Sequence, residues 1–252
     1  LLDHWIAKLR KGKLDHETRD ILRVGIAQLL ILGIADHAAV NETVNCGKVS
    51  VRGLINAVLR QCIARREQLI DQLDGLSPEL KFSHPDWLWK RWKKSYGANK
   101  ATQLLEWNNQ AAKTYCRVNS LNKDAAATVA AYQKATPVEG IEGFYELEGP
   151  PPSEWMKHGL VYIQDPATRH CVELMAPKPG ECVLDACAAP GGKATMIASM
   201  MNNEGEILCT DSNEKRLPRL DENLTNLGIK IATVETHDWT EAAPEAWHGK
   251  FD

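Results

Sequence analysis

The stretch "ECVLDACAAPGGKATMIA", residues 181–198, constrains the fold more than any other part of the chain. It begins with a short apolar run that ends at Asp185 and predicts a buried strand, and its last residues, "KATMIA", predict the first turns of a helix. Small residues, one proline and two glycines lie between the two. A glycine loop between a strand and a helix presents backbone N–H groups and the positive end of the helix dipole to a ligand. The segment therefore predicts a ligand-binding loop in an α/β unit.

Three classes of ligand suit such a loop, and the spacing of the motif separates them. A mononucleotide loop, G-x-x-x-x-G-K-[ST], would need glycine in place of Cys187 and a hydroxyl in place of Ala194, so it fails at two positions. A dinucleotide loop, G-x-G-x-x-G, fails because its first two glycines are absent. The third class is an adenosyl cofactor bound on the same doubly wound topology.

Two acidic residues downstream favour the third class. Asp211 ends the predicted strand "GEILCTD", 20 residues after Gly191, and Asp238 ends the predicted strand "KIATVETHD" beside Trp239. In open parallel sheets, an acid in the position of Asp211 binds ribose hydroxyls at the carboxyl ends of the strands. A carboxylate in the position of Asp238 can accept from an adenine amino group. Each acid alone is typical of a helix cap or a turn, but two in register with a glycine loop favour one shared site.

The rest of the chain predicts other kinds of structure. Helical patterns run from residue 1 to about 75, with Asp15 as an expected N-cap and a long helix from Arg52 to Leu73. Two further helices are expected within 79–114, and a small α+β segment follows, in which "TYCRVNSL" and "GLVYIQD" predict strands and "DAAATVAAYQKA" predicts a helix. From about 165, helices alternate with strands as in a parallel sheet. The predicted domains are therefore 1–76, 77–164 and 165–252.

Composition limits the classes of protein to which the chain can belong. Apolar residues make up 44% and charged residues 25% of the 252 residues, which is ordinary for a globular protein. No apolar run approaches the length of a membrane span, and no signal peptide pattern opens the chain. Seven cysteines without a C-x-x-C pair indicate reduced, mostly buried thiols in a cytosol-like compartment. We expect no membrane association and no metal site.

Charge is distributed unevenly along the chain. Residues 1–100 contain 17 Lys and Arg against 11 Asp and Glu, whereas residues 101–252 contain 13 against 22. Only the basic N-terminal part therefore favours a polyanion. Two clusters in it are the expected RNA contacts, although solvated helix faces produce similar patterns; they comprise Arg10, Lys11, Lys13, Arg60, Arg65 and Arg66.

The segment "WLWKRWKK" interleaves aromatic residues with cations, a pattern that suits stacked bases and phosphates. The aromatic residues are Trp87, Trp89 and Trp92, and the cations are Lys90, Arg91, Lys93 and Lys94. However, Trp89, Trp92 and Tyr96 recur at i, i+3 and i+7, which predicts a stripe that faces the core. Packing is therefore the favoured role of the tryptophans, and the lysines remain available to phosphates.

Several of these motifs resemble one known family. The loop "DACAAPGGKAT" resembles the first motif of the S-adenosylmethionine-dependent RNA cytosine-5 methyltransferases. Upstream, "RDILRVGIAQLL", "HAAVNETV" and "RGLINAVLR" resemble the NusB-like RNA-binding domain that is fused to one bacterial branch. The segment "HPDWLWKRW", followed by "RVNSL", resembles the connector of that branch. Together the chain is similar to the Sun/Fmu-type methyltransferases of small-subunit ribosomal RNA.

The resemblance implies a fold, a cofactor and a set of binding residues. The implied fold is an all-α NusB-like bundle, a small α+β connector and the first part of an α/β Rossmann-like methyltransferase domain. The implied cofactor is S-adenosylmethionine, with Asp211 on the ribose, Asp238 on the adenine and Arg216 lining the pocket. The implied loop residues are Cys187, Ala188, Ala189, Pro190, Gly191, Gly192 and Lys193. The implied partner is 16S ribosomal RNA, in the cytoplasm, and the chain is expected to be a monomer.

The family's chemistry requires a cysteine that the chain does not offer. A thiolate adds to cytosine C6 and makes C5 nucleophilic towards the methyl donor, a base removes the C5 proton, and the thiol leaves. The attacking cysteine and a second one that aids release follow the fourth and fifth strands, in Pro-Cys and Thr-Cys contexts, and neither pair occurs here. Cys182 and Cys209 are expected to pack within strands. We therefore expect the catalytic cysteines beyond residue 252 and a chain that cannot methylate by itself.

Two alternative functions remain open on the sequence. The first keeps the chemistry but makes transfer RNA the substrate. The second is a non-catalytic RNA-binding factor that uses the methyltransferase fold as a scaffold.

Overall fold

The N-terminal unit is built from eight helices. The computed structural model describes residues 1–252 and divides into two units, Leu1–Ala111 and Ala112–Asp252. The helices of the first unit are α1 (Leu2–Leu9), α2 (His16–Leu30), α3 (Asp36–Cys46), α4 (Val49–Ala64), α5 (Arg66–Asp71), α6 (Pro78–Lys81), α7 (Asp86–Tyr96) and α8 (Ala98–Asn108). The structure separates two units between residues 111 and 112, and the finer division into three domains remains a prediction.

Helices α1 to α5 enclose the larger core of this unit. Asp15 caps α2 as expected, since its carboxylate accepts a hydrogen bond of 2.9 Å from Thr18 N. The stripe of α2 then buries Leu22 and Ile26 against Ile55 of α4. These contacts confirm the amphipathic pattern from which the helices were predicted.

The predicted single helix from Arg52 to Leu73 is wrong in its extent. The structure ends α4 at Ala64 and starts α5 at Arg66, and a short 3₁₀ turn follows over Gln72–Gly75. Arg65 leaves the helical conformation, with φ −110° and ψ 16°, and its Nη1 donates to Lys8 O at 3.0 Å. Cys62 and Leu69 are both buried in the same core, so the predicted apolar stripe is kept across the break.

Helices α7 and α8 form a small hairpin with its own core. Trp89 packs there against Ala101 and Leu105, and Trp92 lies partly buried beside them. The predicted stripe is wrong at its third member, because Tyr96 is 57% exposed. Gly97, with φ +78°, ends α7 directly after Tyr96, so this residue lies in the last, partly solvated turn of the helix.

Two sheets make up the C-terminal unit. The first is antiparallel, in the order β2-β3-β1-β4: β1 (Thr114–Val118), β2 (Ala135–Pro137), β3 (Phe144–Leu147) and β4 (Val161–Ile163). Helices α9 (Ala125–Ala130) and α10 (Ser153–Lys157) connect its strands. The sequence predicted β1, β4 and α9, whereas β2 and β3 have only three and four residues in a segment rich in turns and were missed.

The second sheet is parallel, as the alternation of helices and strands predicted. Its order is β5-β6-β7, with β5 (Cys182–Asp185), β6 (Glu206–Asp211) and β7 (Ala232–Thr236). Helices α11 (Arg169–Met175), α12 (Gly192–Met200) and α13 (Leu217–Asn226) precede and connect these strands. Val183, Ile197, Ile207 and Leu220 are buried in one core between the sheet and its helices.

The seven cysteines are all free, but they are not mostly buried as expected. Cys62, Cys116 and Cys209 are buried, Cys182 is partly exposed, and the other three, Cys46, Cys171 and Cys187, are exposed. An apolar neighbourhood in sequence does not fix which way a short side chain points. None of the helices combines the length and apolar character that a bilayer crossing requires.

Candidate functional site

The loop between β5 and α12 is fastened to its neighbours through backbone atoms. Ala188 N donates to Thr210 O at 2.8 Å, and Gly191 N donates to Ala188 O at 2.6 Å. Asn223 Nδ2 of α13 donates to Pro190 O at 2.8 Å, and the Ala189–Pro190 peptide is cis. Within the predicted loop, Ala188, Ala189 and Gly191 are buried, Gly192 is half-buried, and the exposed members are Cys187, Pro190 and Lys193.

The two glycines of the loop have different reasons for being glycine. Gly191 has φ +108°, and a Cβ there would lie 2.9 Å from Leu220 Cδ1. A Cβ on Gly192 would lie 3.1 Å from Gln164 Nε2 and 3.2 Å from Tyr162 Cε1. Since α12 begins at Gly192, its first N–H groups lack intrahelical partners. Those of Gly192 and Lys193 remain available to an anionic or polar ligand group, whereas that of Ala194 faces the Asp185 carboxylate.

Asp211 occupies the carboxyl end of β6, next to the loop. It is only 4% exposed, and its Oδ1 accepts a hydrogen bond of 3.0 Å from Asn213 N. Arg216 Nη1 lies 3.0 Å from Oδ2, but no hydrogen bond of acceptable geometry reaches that oxygen. Arg216, in the short turn before α13, also donates through Nη2 to Ala189 O, so it bridges Asp211 and the loop.

A second buried carboxylate, which the sequence pattern did not assign to the site, lies at the end of β5. Asp185 Oδ1 is 3.4 Å from Cys187 N, and Oδ2 has no hydrogen-bond partner. Burial raises the pKa of Asp185, and the nearby Lys193 ammonium opposes that rise. The sequence feature that could have marked Asp185 is its position as the last residue of the strand before the loop.

Thr210 ties together the loops that follow the three parallel strands. Its side chain is buried, and its Oγ1 donates to Ala186 O at 3.1 Å and accepts from Trp239 Nε1 at 2.9 Å. Its carbonyl oxygen is the acceptor for Ala188 N. The register brings the same ends together, since Asp185 lies opposite Cys209 and Asp211 opposite Thr236. Because these contacts join distant segments, no local pattern in the sequence marked Thr210.

Asp238 follows β7 and binds within its own turn. The residue is exposed, and its Oδ1 accepts from Thr240 N at 2.9 Å and from Thr240 Oγ1 at 2.8 Å, which lowers its pKa. Trp239, by contrast, is held at Thr210, and the ring centroid of His237 lies 4.5 Å from that of Trp239 and 5.1 Å from that of Trp247. The contact of Asp238 with adenine remains a prediction, and the aromatic cluster beside it was not foreseen.

Arg117 of β1 supports the first turn of α12 from outside the parallel sheet. It is 6% exposed, and it donates from Nε to Gln164 Oε1 and from Nη2 to Thr195 Oγ1, both at 2.8 Å. Thr195 Oγ1 in turn donates to Gly192 O at 3.2 Å. No carboxylate pairs with the guanidinium, and burial lowers the pKa of Arg117 to about 10, so it stays charged at neutral pH.

Two cysteines near the loop, Cys209 and Cys182, are poorly suited to act as nucleophiles. Cys209 is fully buried in β6, as expected for strand packing, and burial raises its pKa to about 12. Burial also raises the pKa of Cys182, which is only partly covered. A thiolate is therefore disfavoured at both positions.

The donors and acceptors of the site suit an adenosyl cofactor. A buried carboxylate oxygen without a hydrogen bond, such as Asp211 Oδ2, fits a ribose hydroxyl, and the glycine bend leaves room for backbone contact with a ligand. The residues contain no group of three or more His, Cys, Asp or Glu side chains that could hold a metal ion. What the arrangement can do by itself is to bind and orient a ligand.

Three family models match separate parts of the chain. Residues 172–252 match the family described as 16S rRNA methyltransferase RsmB/F. Residues 84–141 match the ferredoxin-like domain of RsmF/B-like methyltransferases, and residues 1–64 match the NusB family.

Named relatives and a solved structure are similar over nearly the whole chain. The chain is 37% identical to ribosomal RNA small subunit methyltransferase B of Citrobacter koseri, over 100% of its own length and 61% of that protein. It is 35% identical to the protein of the same name from Escherichia coli O127:H6, over 99% of its length and 60% of that protein. The chain thus spans about 60% of the length of these relatives. The crystal structure of PH0851 aligns with a TM-score of 0.72 at 23% identity, over 96% of this chain and 58% of that one.

Proposed function

The chain belongs to the RsmB/F family of methyltransferases and carries a NusB-like N-terminal domain, and we propose that it is part of an enzyme that methylates C5 of a cytosine in 16S ribosomal RNA. The observation that supports this most is the buried Asp211 carboxylate, held by Arg216 against the glycine loop. A cytoplasmic location follows from a ribosomal RNA substrate and is part of the same proposal.

The proposed cofactor is S-adenosylmethionine, which supplies the methyl group when bound. Asp211 Oδ2 would accept from a ribose hydroxyl, and Arg216 would keep that carboxylate oriented. The N–H groups at the start of α12 would bind the polar methionine end. The proposed roles of Asp238 on adenine and of the exposed Cys187, Pro190 and Lys193 around the loop rest on the family motif.

We further propose that the attacking cysteine is none of the seven in this chain. Cytosine C5 becomes nucleophilic only after a thiolate has added to C6, and the proton on C5 must then leave before the thiol is released. Such a thiol needs access to the base and a lowered pKa, whereas Cys209 is enclosed and has a raised one. The residues described here bind and orient the cofactor, and we expect no methyl transfer from this chain alone.

Isothermal titration calorimetry with S-adenosylhomocysteine, ATP and NAD tests the cofactor class. We expect the 252-residue chain to bind S-adenosylhomocysteine and neither nucleotide, because the loop lacks the glycines and the hydroxyl that phosphates require. The variant Glu214→Gln is a control, since this exposed carboxylate lies three residues beyond Asp211 and should leave binding unchanged. Preferential binding of ATP or NAD would overturn the proposal.

A further inference from the structure

One face of α7 is exposed, although the sequence pattern favoured packing for its tryptophans. Trp87, Arg91 and Lys94 are spaced i, i+4 and i+7 and therefore share this face. All three are exposed, and the Trp87 side chain is 63% accessible. We call these three residues the α7 aromatic–basic face. Trp89 and Trp92 lie on the other side of the helix, in the small core with α8.

The cations of this segment are largely unpaired within the protein. Residues 86–100 hold five Lys and Arg and a single acid, Asp86, which forms an ion pair of 2.6 Å with Lys90. Neither Arg91 nor Lys94 takes part in an ion pair. A helix of 11 residues that carries this excess of positive charge repels itself unless it is solvated or meets an anion.

Three of the six basic residues that were expected to contact RNA are bonded or partly buried within the N-terminal unit. Arg66 pairs with Asp36, and Arg65 donates to Gln68 Oε1 and Lys8 O, both at 3.0 Å. Arg10 Nη1 is buried. Lys11, Lys13 and Arg60 are exposed and form no ion pair, but Trp5, the only Phe, Trp or Tyr in residues 1–80, is buried. Only α7 therefore combines unpaired cations with an exposed aromatic ring.

We propose that the α7 aromatic–basic face binds single-stranded RNA, with a base stacked on Trp87 and neighbouring phosphates held by Arg91 and Lys94. An exposed tryptophan contributes nothing to the core, whereas its flat ring can stack on any base. Two cations on the following turns, about 6 and about 10 Å further along the helix, suit the phosphates beside that base. The inference rests on the proposed RNA substrate and adds the surface that contacts it.

Fluorescence anisotropy with a labelled single-stranded RNA of mixed sequence, on the order of a dozen nucleotides, tests the proposal. Trp87→Ala should weaken binding roughly fivefold or more, as the loss of one stacked base requires. R91Q/K94Q should reduce the slope of log affinity against log salt by about 1.4, since each lost phosphate contact in a single strand contributes about 0.7. Thermal unfolding should be nearly unchanged in both variants, because all three side chains are exposed.

The matched control removes the same charge from the other unit. Lys178 and Lys230 are exposed and form no ion pair. They precede β5 and β7, so they lie near the amino ends of the strands, whereas the loop follows a carboxyl end. K178Q/K230Q should leave the affinity and its salt slope near wild type. An equal effect of this pair would show that bulk charge alone drives binding, and it would overturn the proposal.

Three further outcomes would also overturn it. One is an RNA affinity that neither Trp87→Ala nor R91Q/K94Q changes. Another is a wild-type dimer in sedimentation velocity that Trp87→Ala abolishes without changing RNA affinity, which would assign the face to protein contact. A wild-type chain that binds S-adenosylhomocysteine but no RNA would refute this inference and leave the cofactor assignment intact.

Discussion

Gly191 combines two constraints that no other residue type meets. Its φ of +108° lies in the region that side chains avoid, and a Cβ would lie 2.9 Å from Leu220 Cδ1 of α13. Gly180, before β5, has a φ of +89°, but a Cβ there would meet nothing within 4 Å. The two positions therefore separate backbone strain from displacement of the loop.

Gly191→Ala should weaken S-adenosylhomocysteine binding by roughly tenfold or more, because the loop must shift away from Leu220. Gly180→Ala should lower the melting temperature through strain alone and leave the affinity unchanged. Calorimetry at a temperature well below both unfolding transitions measures the difference. Equal losses of affinity in the two variants would contradict a specific role for the bend.

Some residues of the candidate site could be identified from the sequence and others could not. Asp211 and the glycines were predictable, because a strand end and a loop are local patterns. Thr210 and Arg117 were not, since each acts through partners in other segments, as Arg117 does with Thr195, 78 positions away. The contact of Asp238 with adenine stays a prediction; what the sequence did not indicate is that its carboxylate accepts two hydrogen bonds from Thr240.

Helix α12 illustrates how one element depends on another. Its first turn carries the available N–H groups, and Arg117 of β1 holds that turn through Thr195 and Gln164. A buried guanidinium without a carboxylate partner is costly, so these neutral hydrogen bonds must be kept. We infer that β1 positions the glycine loop through α12.

Arg117→Lys and Thr195→Val should each weaken S-adenosylhomocysteine binding roughly tenfold, the equivalent of about one charge-assisted hydrogen bond. The double variant should be little worse than either single one, because both changes remove the same link. Thr43→Val is the matched control: it also removes a buried hydroxyl, which donates to Gln28 Oε1 at 3.1 Å in the N-terminal unit. It should lower stability without altering affinity. Additive losses in the double variant would contradict the link.

Element types were easier to predict than element ends and faces. The strand–helix alternation after residue 165 and the helices before residue 110 are confirmed, because their periodicities are long. The division of the predicted helix at Arg65 and the exposure of Tyr96 were missed. Both depend on where the chain turns, which the apolar spacing alone does not encode.

The uneven charge along the whole chain agrees with two separate tasks. The basic excess of residues 1–100 includes the unpaired cations of α7, and the acidic excess of residues 101–252 includes the buried carboxylates beside the loop. A cofactor with a cationic sulfonium is not opposed by an acidic unit. The two proposed tasks, RNA contact and cofactor binding, can therefore be measured separately on the same chain.

The proposed cofactor site of the C-terminal unit depends on a contact between Asp211 and the ribose. The most direct measurement is a binding cycle by calorimetry, which combines Asp211→Asn with an S-adenosylhomocysteine analogue that lacks a ribose hydroxyl. Asparagine can keep the hydrogen bond from Asn213 N, so the fold should be preserved. The wild-type chain should bind the analogue roughly tenfold more weakly than it binds S-adenosylhomocysteine. The Asp211→Asn variant should bind the analogue almost as well as it binds S-adenosylhomocysteine, because the contact is already lost. If the analogue is still bound roughly tenfold more weakly by the variant, so that the two losses add, the assignment is contradicted.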